Sequence, residues 1–229
     1  MGAGKDAPTR AKKNGAAGAN PAGAKPPGAR NVVPTIRAFA AMDLDAMSVR
    51  RVMRVADRLR MASGAPSAAW TSPDKVHVTL KFMGDLPADA VGPVGEALEA
   101  LVDPKKAPRP GACSLQAFPT IELAEIIVLE LTDPAGDLAK LARKLEKVAA
   151  RHGVAPETRV FRPHITLARL KRPYDTRRWL RPGLAEATGE FTPSRLALYR
   201  SEPGVAKDGG SLYVPLATFD FDAVARPIT

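Results

Sequence analysis

The strongest constraint on the fold of this chain is a four-residue pattern that occurs twice, His-aliphatic-Thr-Leu. It occupies residues 77–80 and again residues 164–167. Both copies lie in stretches whose apolar pattern predicts a β-strand, and side chains on a strand point alternately to opposite faces. His and Thr therefore share one face, while the aliphatic residue and Leu pack into a core on the other. Of the chain's three histidines, two belong to this pattern.

The elements around the two copies repeat as well. Helices are predicted from apolar residues at helical spacing, and strands from β-branched and alternating runs. The order strand, helix, motif strand is predicted twice, first at 36–42, 45–61 and 76–83 and then at 125–131, 134–151 and 161–169. The two motif histidines are 87 residues apart. We therefore expect an α+β fold of two similar lobes, each with an antiparallel sheet and helices, and a central cleft that both motifs face.

The predicted domain organisation is a tail at 1–33 and one two-lobed domain at 34–229. The tail is rich in Gly, Ala, Pro and Lys and has no aromatic residue. Such a segment cannot bury enough apolar surface to offset the entropy of ordering, so we predict that it is disordered. The domain is expected to contain further elements, which are strands at 112–118, 194–200 and 212–221, a helix at 87–102 and a short helix near 175–180.

Composition limits the compartment and the partners. No apolar run approaches the roughly 20 residues that span a bilayer, and the N-terminus lacks the apolar core of a secretory signal. Cys113 is the single cysteine, so an intrachain disulfide is impossible and a reducing compartment is favoured. We expect a cytoplasmic protein with no membrane partner. The formal net charge of +10 is compatible with an anionic ligand, but charge alone is a weak indicator of nucleic acid.

The residue types in the motif are suited to acid–base chemistry near neutral pH. Histidine has an ordinary pKa of about 6.5, so one ring can accept a proton while its partner donates one. A threonine hydroxyl can donate a hydrogen bond to a phosphate oxygen. Two histidines and two threonines across a cleft therefore form a plausible metal-free site for phosphoryl transfer.

Two other interpretations compete with this one. A single histidine on a strand is more often a satisfied or partly exposed surface residue, and for one motif alone that interpretation would be preferred. Zinc needs three or four His, Cys or carboxylate ligands and threonine is a poor one; with His152 at a predicted helix end and Cys113 elsewhere, no third ligand is evident. Two motifs at matching places in a repeat favour catalysis.

Residues 77–84 and 162–169, His-Val-Thr-Leu-Lys-Phe-Met-Gly and Arg-Pro-His-Ile-Thr-Leu-Ala-Arg, resemble the paired signatures of the 2H phosphoesterase superfamily. Within it, the chain is similar to the RNA 2′,3′-cyclic phosphodiesterases, also called 2′-5′ RNA ligases. The resemblance covers nearly everything after the tail, from residues 37–43 to the terminal pattern at 198–219.

The resemblance implies hydrolysis of a 2′,3′-cyclic phosphate end to a 2′-phosphate, without metal or other cofactor. His77 is then the proton donor to the departing 3′ oxygen, and His164 is the proton acceptor that activates water. Thr79 and Thr166 are expected to hold the phosphate. From the residues alone the two histidines are equivalent, so the division of roles rests on the family.

Three flanking residues are candidate substrate contacts. Arg169 follows the second motif by three residues, so strict alternation places it opposite Thr166 unless the strand bends there. Phe82 can stack on a nucleobase, although core packing is the default expectation for it. Arg162 flanks the second motif and can meet an RNA phosphate, as can Lys81 beside the first, and simple solvation is an equal expectation for each.

Two alternatives to hydrolysis stay open at this point. The same groups serve 2′-5′ ligation when the chemistry runs backwards with a ribose 2′-OH as nucleophile. A non-catalytic RNA-binding module that uses the cleft is the third hypothesis. The expected partner is RNA with a 2′,3′-cyclic phosphate end, with tRNA halves as candidates, and the protein is expected to be a monomer.

Overall fold

The computed structural model describes residues 33–180, 189–206 and 210–221. The predicted disordered tail, apart from its last residue Val33, lies outside the described residues. Within these ranges the elements are strands β1 Thr35–Leu44, β2 Ala68–Trp70, β3 His77–Pro87, β4 Gly111–Phe118, β5 Ala124–Thr132, β6 His164–Tyr174, β7 Pro193–Glu202 and β8 Leu212–Asp220, and helices α1 Ala46–Met61, α2 Val91–Glu99 and α3 Asp137–Arg151.

The strands form two antiparallel sheets of four strands each. Sheet A has the order β3-β1-β7-β8, and sheet B has the order β2-β6-β5-β4. The repeat in the sequence is visible here, because motif strand β3 pairs with β1 as motif strand β6 pairs with β5. The predicted α+β fold with two sheets and helices is confirmed.

The two lobes exchange segments between the sheets. The chain leaves sheet A after β1, runs through α1, which packs on β6, and adds β2 to the edge of sheet B. In the second half it leaves sheet B after β5, and α3 packs on β3 of sheet A before β6 returns to sheet B. Each lobe is therefore completed by a helix from the other half of the repeat, which ties the two motif strands to one framework.

The start of helix α1 follows its sequence signal. Asp45 is the N-cap, and its side chain accepts a hydrogen bond from the backbone N–H of Ser48 at 2.7 Å. This satisfies one of the free N–H groups of the first turn. The helix buries a stripe of apolar residues at helical spacing, Val52, Val55, Ala56 and Leu59.

Helix α3 begins later than predicted. We expected it to start at 134, but it starts at Asp137, because Gly136 adopts a left-handed conformation with φ 68° that turns the chain first. The carboxylate of Asp133 still caps it, accepting hydrogen bonds from the N–H groups of Leu138 at 3.2 Å and Ala139 at 3.0 Å.

The core lies where the strand pattern predicted it. Val78 and Leu80 of the first motif are buried, and so are Ile165 and Leu167 of the second. One element was missed and one prediction was wrong. The short strand β2 was missed, since three residues carry too little alternation to be recognised, and the short helix expected near 175–180 is a turn in the described residues.

Candidate active site

The two motif strands come together between the sheets. β3 and β6 approach one another without pairing. His77 and Thr79 are partly exposed on one strand and His164 and Thr166 on the other, while the residues between them are buried. The two motifs therefore present their polar faces to a common cleft.

Both histidines are held in the same way by the segment that directly precedes their own strand. Nδ1 of His77 lies 2.8 Å from the carbonyl oxygen of Lys75, and Nδ1 of His164 lies 2.7 Å from that of Arg162. A carbonyl oxygen only accepts, so each Nδ1 carries the proton and donates. The Nε2 atom of each neutral ring is then the basic nitrogen, and the bond to the backbone carbonyl does not use it. Nε2 of His77 lies 3.1 Å from the hydroxyl of Thr79.

His77 sits among aromatic rings. Phe39 packs against it with ring centroids 5.1 Å apart, and Tyr213 meets it edge-on at 5.5 Å. Burial among these rings lowers the pKa of His77, and the nearby His164 and Arg169 act in the same direction. The hydrogen bond to Lys75 and the charge of Asp43 oppose the shift.

Asp43 lies directly across from His77 on β1. Its carboxylate accepts hydrogen bonds from Nε of Arg195 at 2.7 Å and from the hydroxyl of Tyr199 at 2.6 Å. Burial, with the hydrogen bond to Asp43, raises the pKa of Tyr199, so this hydroxyl stays protonated and donates. A small pocket beside His77 is lined by Asp43, Tyr199 and Tyr213.

His164 has a different environment. Phe118 lies 6.1 Å from it between ring centroids. Glu130 lies across from His164 on β5. The carboxylate of Glu130 accepts a hydrogen bond from Arg162 at 2.6 Å and one from the hydroxyl of Ser114 at 3.1 Å. The second histidine is therefore flanked by a polar chain rather than by a cluster of aromatic rings.

Both motif strands carry a β-bulge after the threonine, with one extra residue, Leu80 in β3 and Leu167 in β6. A bulge shifts the alternation of the residues that follow it. Arg169 therefore lies on the same face as Thr166, and the prediction from strict alternation was wrong. Phe82 occupies the equivalent place in β3 and is 59% exposed, so the core-packing default for this ring was wrong too.

The other two flanking cations have partners. Arg162 pairs with Glu130 and lies over the ring of Phe118, 5.4 Å from its centroid. Lys81 is 6% exposed and forms an ion pair with Glu146 at 2.9 Å. Lys81 therefore belongs to the packing between β3 and α3, and neither of its two equal expectations, contact with an RNA phosphate or simple solvation, describes it.

Several residues of the cleft were not singled out from the sequence. Asp43 and Tyr213 face His77 from β1 and β8, and Tyr199 on β7 reaches Asp43. Glu130 and Phe118 face His164 from β5 and β4. A partial signal existed, because two of the three tyrosines in the chain lie in the last two predicted strands. Among the described residues, no group of three His, Cys, Asp or Glu side chains is arranged to hold a metal ion.

Two antiparallel sheets that each supply one His-x-Thr strand to a shared cleft define the two-lobed phosphoesterase class. The chain belongs to the LigT like Phosphoesterase family, whose model matches residues 44–116 and 129–206. Each matched segment contains one of the two motifs.

Relatives named RNA 2′,3′-cyclic phosphodiesterase support this assignment. The one from Methanothermobacter thermautotrophicus is 29% identical over 195 residues, which cover 80% of this chain and 98% of the relative. The one from Escherichia coli K12 is 31% identical over 135 residues, 58% of this chain and 71% of the relative.

Solved structures agree on the fold. TT0787 of Thermus thermophilus superimposes with a TM-score of 0.61 at 22% identity, covering 81% of this chain and 98% of that one. E. coli LigT complexed with 3′-AMP gives a TM-score of 0.57 at 21% identity, with the same coverage. No helix in the described part of the chain is long and apolar enough to cross a membrane.

Proposed function

We propose that this protein hydrolyses the 2′,3′-cyclic phosphate end of RNA to a 2′-phosphate by two-histidine acid–base catalysis. One observation carries the proposal: His77 and His164 share a cleft, and each is oriented by a bond from Nδ1 to the carbonyl two residues before it. The names of the relatives supply the substrate class.

The proposed step transfers two protons. Nε2 of His164 takes a proton from the attacking water as the new phosphorus–oxygen bond forms. The bond from phosphorus to the 3′ oxygen breaks, and Nε2–H of His77 gives its proton to that oxygen. The product is a 2′-phosphate with a free 3′-hydroxyl. The assignment of His77 as donor and His164 as acceptor follows the family, and the step draws on no metal ion.

Thr79, Thr166 and Arg169 are proposed to hold the phosphate. The hydroxyls of the two threonines lie on the cleft face beside the histidines and can donate to non-bridging oxygens. The bulge in β6 brings Arg169 to that face, and its charge already acts on His77. Arg162 has donors left beyond its pair with Glu130 and is a further candidate contact for the substrate.

Phe82 is proposed to contact the base of the terminal nucleotide. Its ring is exposed at the site equivalent to Arg169, 6.1 Å from Phe39 between centroids. Every base has a π-face, so stacking on such a ring tolerates any sequence. The cleft then presents an aromatic ring, Phe82, from sheet A and a cation, Arg169, from sheet B.

A proton donor must be protonated, and burial lowers the pKa of His77. Two negative charges act against this effect. Asp43 lies across the strand and raises the pKa of His77, and the bound phosphodiester carries a further negative charge next to the ring. Both favour the protonated imidazole when substrate is present.

We further propose that the protein acts as a cytoplasmic monomer on RNA, with tRNA halves as candidate substrates. One chain supplies both histidines, so the site needs no second subunit. The single cysteine is typical of proteins from reducing compartments.

The test is product analysis. The protein is incubated with an oligonucleotide that ends in a 2′,3′-cyclic phosphate, in the presence of EDTA, and the ends are identified by phosphorus NMR. We expect a 2′-phosphate and a bell-shaped dependence of kcat/KM on pH. A 3′-phosphate, a ligated product alone, or an unchanged substrate contradicts the proposal.

A further inference from the structure

The chain is strongly basic at the end of strand β6 and in the turn that follows it. Between residues 171 and 178 the chain carries four cations and one acidic residue, Asp175. We call the four cations the basic segment, and all four are exposed: Lys171, Arg172, Arg177 and Arg178.

The basic segment begins on the cleft side of sheet B. Leu170 packs against the core and pairs with Ala68 of β2, and the N–H of Lys171 donates to the carbonyl of Ser67. Pairing with β2 is regular from Ala168 to Lys171, so Arg169 and Lys171 lie on the same side of the strand, opposite Leu170. The register with β5 becomes irregular between Arg169 and Tyr174.

Three side chains beside these cations, rather than the cations themselves, form long-range hydrogen bonds that hold this stretch of chain. The hydroxyl of Tyr174 donates to the carbonyl of Gly64 at 3.1 Å, and that of Thr176 donates to Ile121 at 2.9 Å. Nε1 of buried Trp179 donates to the carbonyl of Leu59 at 3.0 Å. The exposed cations therefore lie on a stretch of chain that is held in place by the rest of the protein.

Three of the four cations have no ion-pair partner within 4 Å among the residues that the structure describes. Arg177 pairs with Asp175, but Lys171, Arg172 and Arg178 form no ion pair with any residue that the structure describes. Like charges collected on one segment repel each other, and a polyanion laid across them removes that repulsion.

The distance from the histidines decides the size of the ligand. Seven residues separate Lys171 from His164 along β6, which is about 20 Å at the rise of a strand. A single nucleotide whose phosphate lies between the two histidines does not extend that far. A ligand that meets both the histidines and the basic segment is a longer nucleic acid strand.

We propose that the basic segment binds the phosphates of the RNA strand that precedes the cyclic end, so that a longer strand is hydrolysed with a higher kcat/KM than a cyclic mononucleotide. This inference rests on the proposed function and specifies where the rest of its substrate binds. The RNA strand then leaves the cleft along β6 of sheet B, on the side away from Phe82 of sheet A.

The test compares two substrates, a cyclic-ended RNA octamer and 2′,3′-cyclic AMP. In the full-length chain, Lys171→Glu with Arg172→Glu is expected to lower kcat/KM for the octamer about tenfold at low salt. The slope of log kcat/KM against log salt concentration is expected to become less negative by about 0.7 for each phosphate that the variant no longer neutralises. The rate with 2′,3′-cyclic AMP is expected to change less than about twofold. The matched control is Lys144→Glu with Lys147→Glu, on the exposed face of α3.

Equal losses on both substrates, or the same loss in the control, overturn the inference. So does an octamer rate that the double variant leaves unchanged. If charge reversal disturbs folding, Lys171→Ala with Arg172→Ala provides the same comparison. If wild type hydrolyses neither substrate, the proposed function is wrong, and the binding role of the basic segment is then tested with a labelled octamer by fluorescence anisotropy. Weaker binding by the Lys171/Arg172 variant, with unchanged binding by the control, supports that role. Equal binding by wild type and the Lys171/Arg172 variant overturns it.

Discussion

Asp43 and Glu130 occupy equivalent positions in the two sheets, 87 residues apart, each directly across from a motif histidine. Their partners differ. Asp43 accepts hydrogen bonds from Arg195 and Tyr199, whereas Glu130 accepts them from Arg162 and Ser114. Two motifs that are alike in sequence are therefore placed in unlike surroundings.

The first prediction concerns Asp43→Asn. The carboxylate of Asp43 raises the pKa of His77 by favouring the protonated ring. Without that charge, protonation of His77 needs a lower pH. One limb of the pH–rate profile is therefore expected to move to lower pH while the other stays in place, as measured by kcat/KM from pH 5 to 9.

Tyr199→Phe is the matched control for Asp43→Asn. It removes one hydrogen bond to Asp43 but keeps the carboxylate charge, so both limbs should stay close to their wild-type positions. The account of Asp43 is wrong if the two variants move the profile equally, or if Asp43→Asn moves neither limb.

The second prediction concerns Phe82. Loss of base stacking costs roughly 1–3 kcal/mol per base, so Phe82→Ala should raise KM about tenfold with little change in kcat. Because the ring is 59% exposed, the free energy of unfolding should change by less than about 1 kcal/mol. Steady-state kinetics and urea unfolding measure the two quantities.

Phe82→Tyr and Phe82→Leu separate stacking from simple apolar contact. Tyrosine keeps the π-face and should keep a near wild-type KM, whereas leucine should behave like alanine. A leucine variant with the wild-type KM would show that the ring does not stack on the base.

The third prediction concerns the buried pair of Lys81 and Glu146. Glu146→Gln leaves the Lys81 ammonium, which is 6% exposed, without its counter-ion. We expect a loss of about 2 kcal/mol in the free energy of unfolding, below the roughly 3–5 kcal/mol of a fully buried pair because Glu146 is partly exposed.

Lys81→Met is the comparison for this pair. It removes the charge and keeps the volume, so it should cost less than about 1 kcal/mol. Because Lys81 packs on α3 and not in the cleft, kcat/KM should stay within about twofold of wild type. A large loss of activity in a stably folded Lys81→Met variant would place this lysine on the substrate instead.

The main features of the fold could be predicted from the sequence because their signals are local. The apolar stripe of α1, the cap at Asp45 and the alternation in the two motif strands all lie within short windows. The repeat added the long-range information, since equal spacing of like elements implies that the two motifs hold equivalent positions.

The rest of the site depends on how distant strands pair. The bulges at Leu80 and Leu167 bring Phe82 and Arg169 to the cleft face, and a bulge is defined by the register of the partner strand. The contact of Asp43 with Tyr199 joins strands that are far apart in the chain. Neither relationship has a signature within a single strand.

The most direct test of the two-histidine account measures kcat/KM on a cyclic-ended oligonucleotide, with EDTA present, for wild type, His77→Ala and His164→Ala. General acid–base catalysis contributes about 10²–10⁴-fold, so we predict that wild type is active and that each variant falls by about 10³-fold. Both variants should bind the oligonucleotide and unfold cooperatively. Activity within tenfold of wild type in either variant, or wild-type activity abolished by EDTA, would contradict the account.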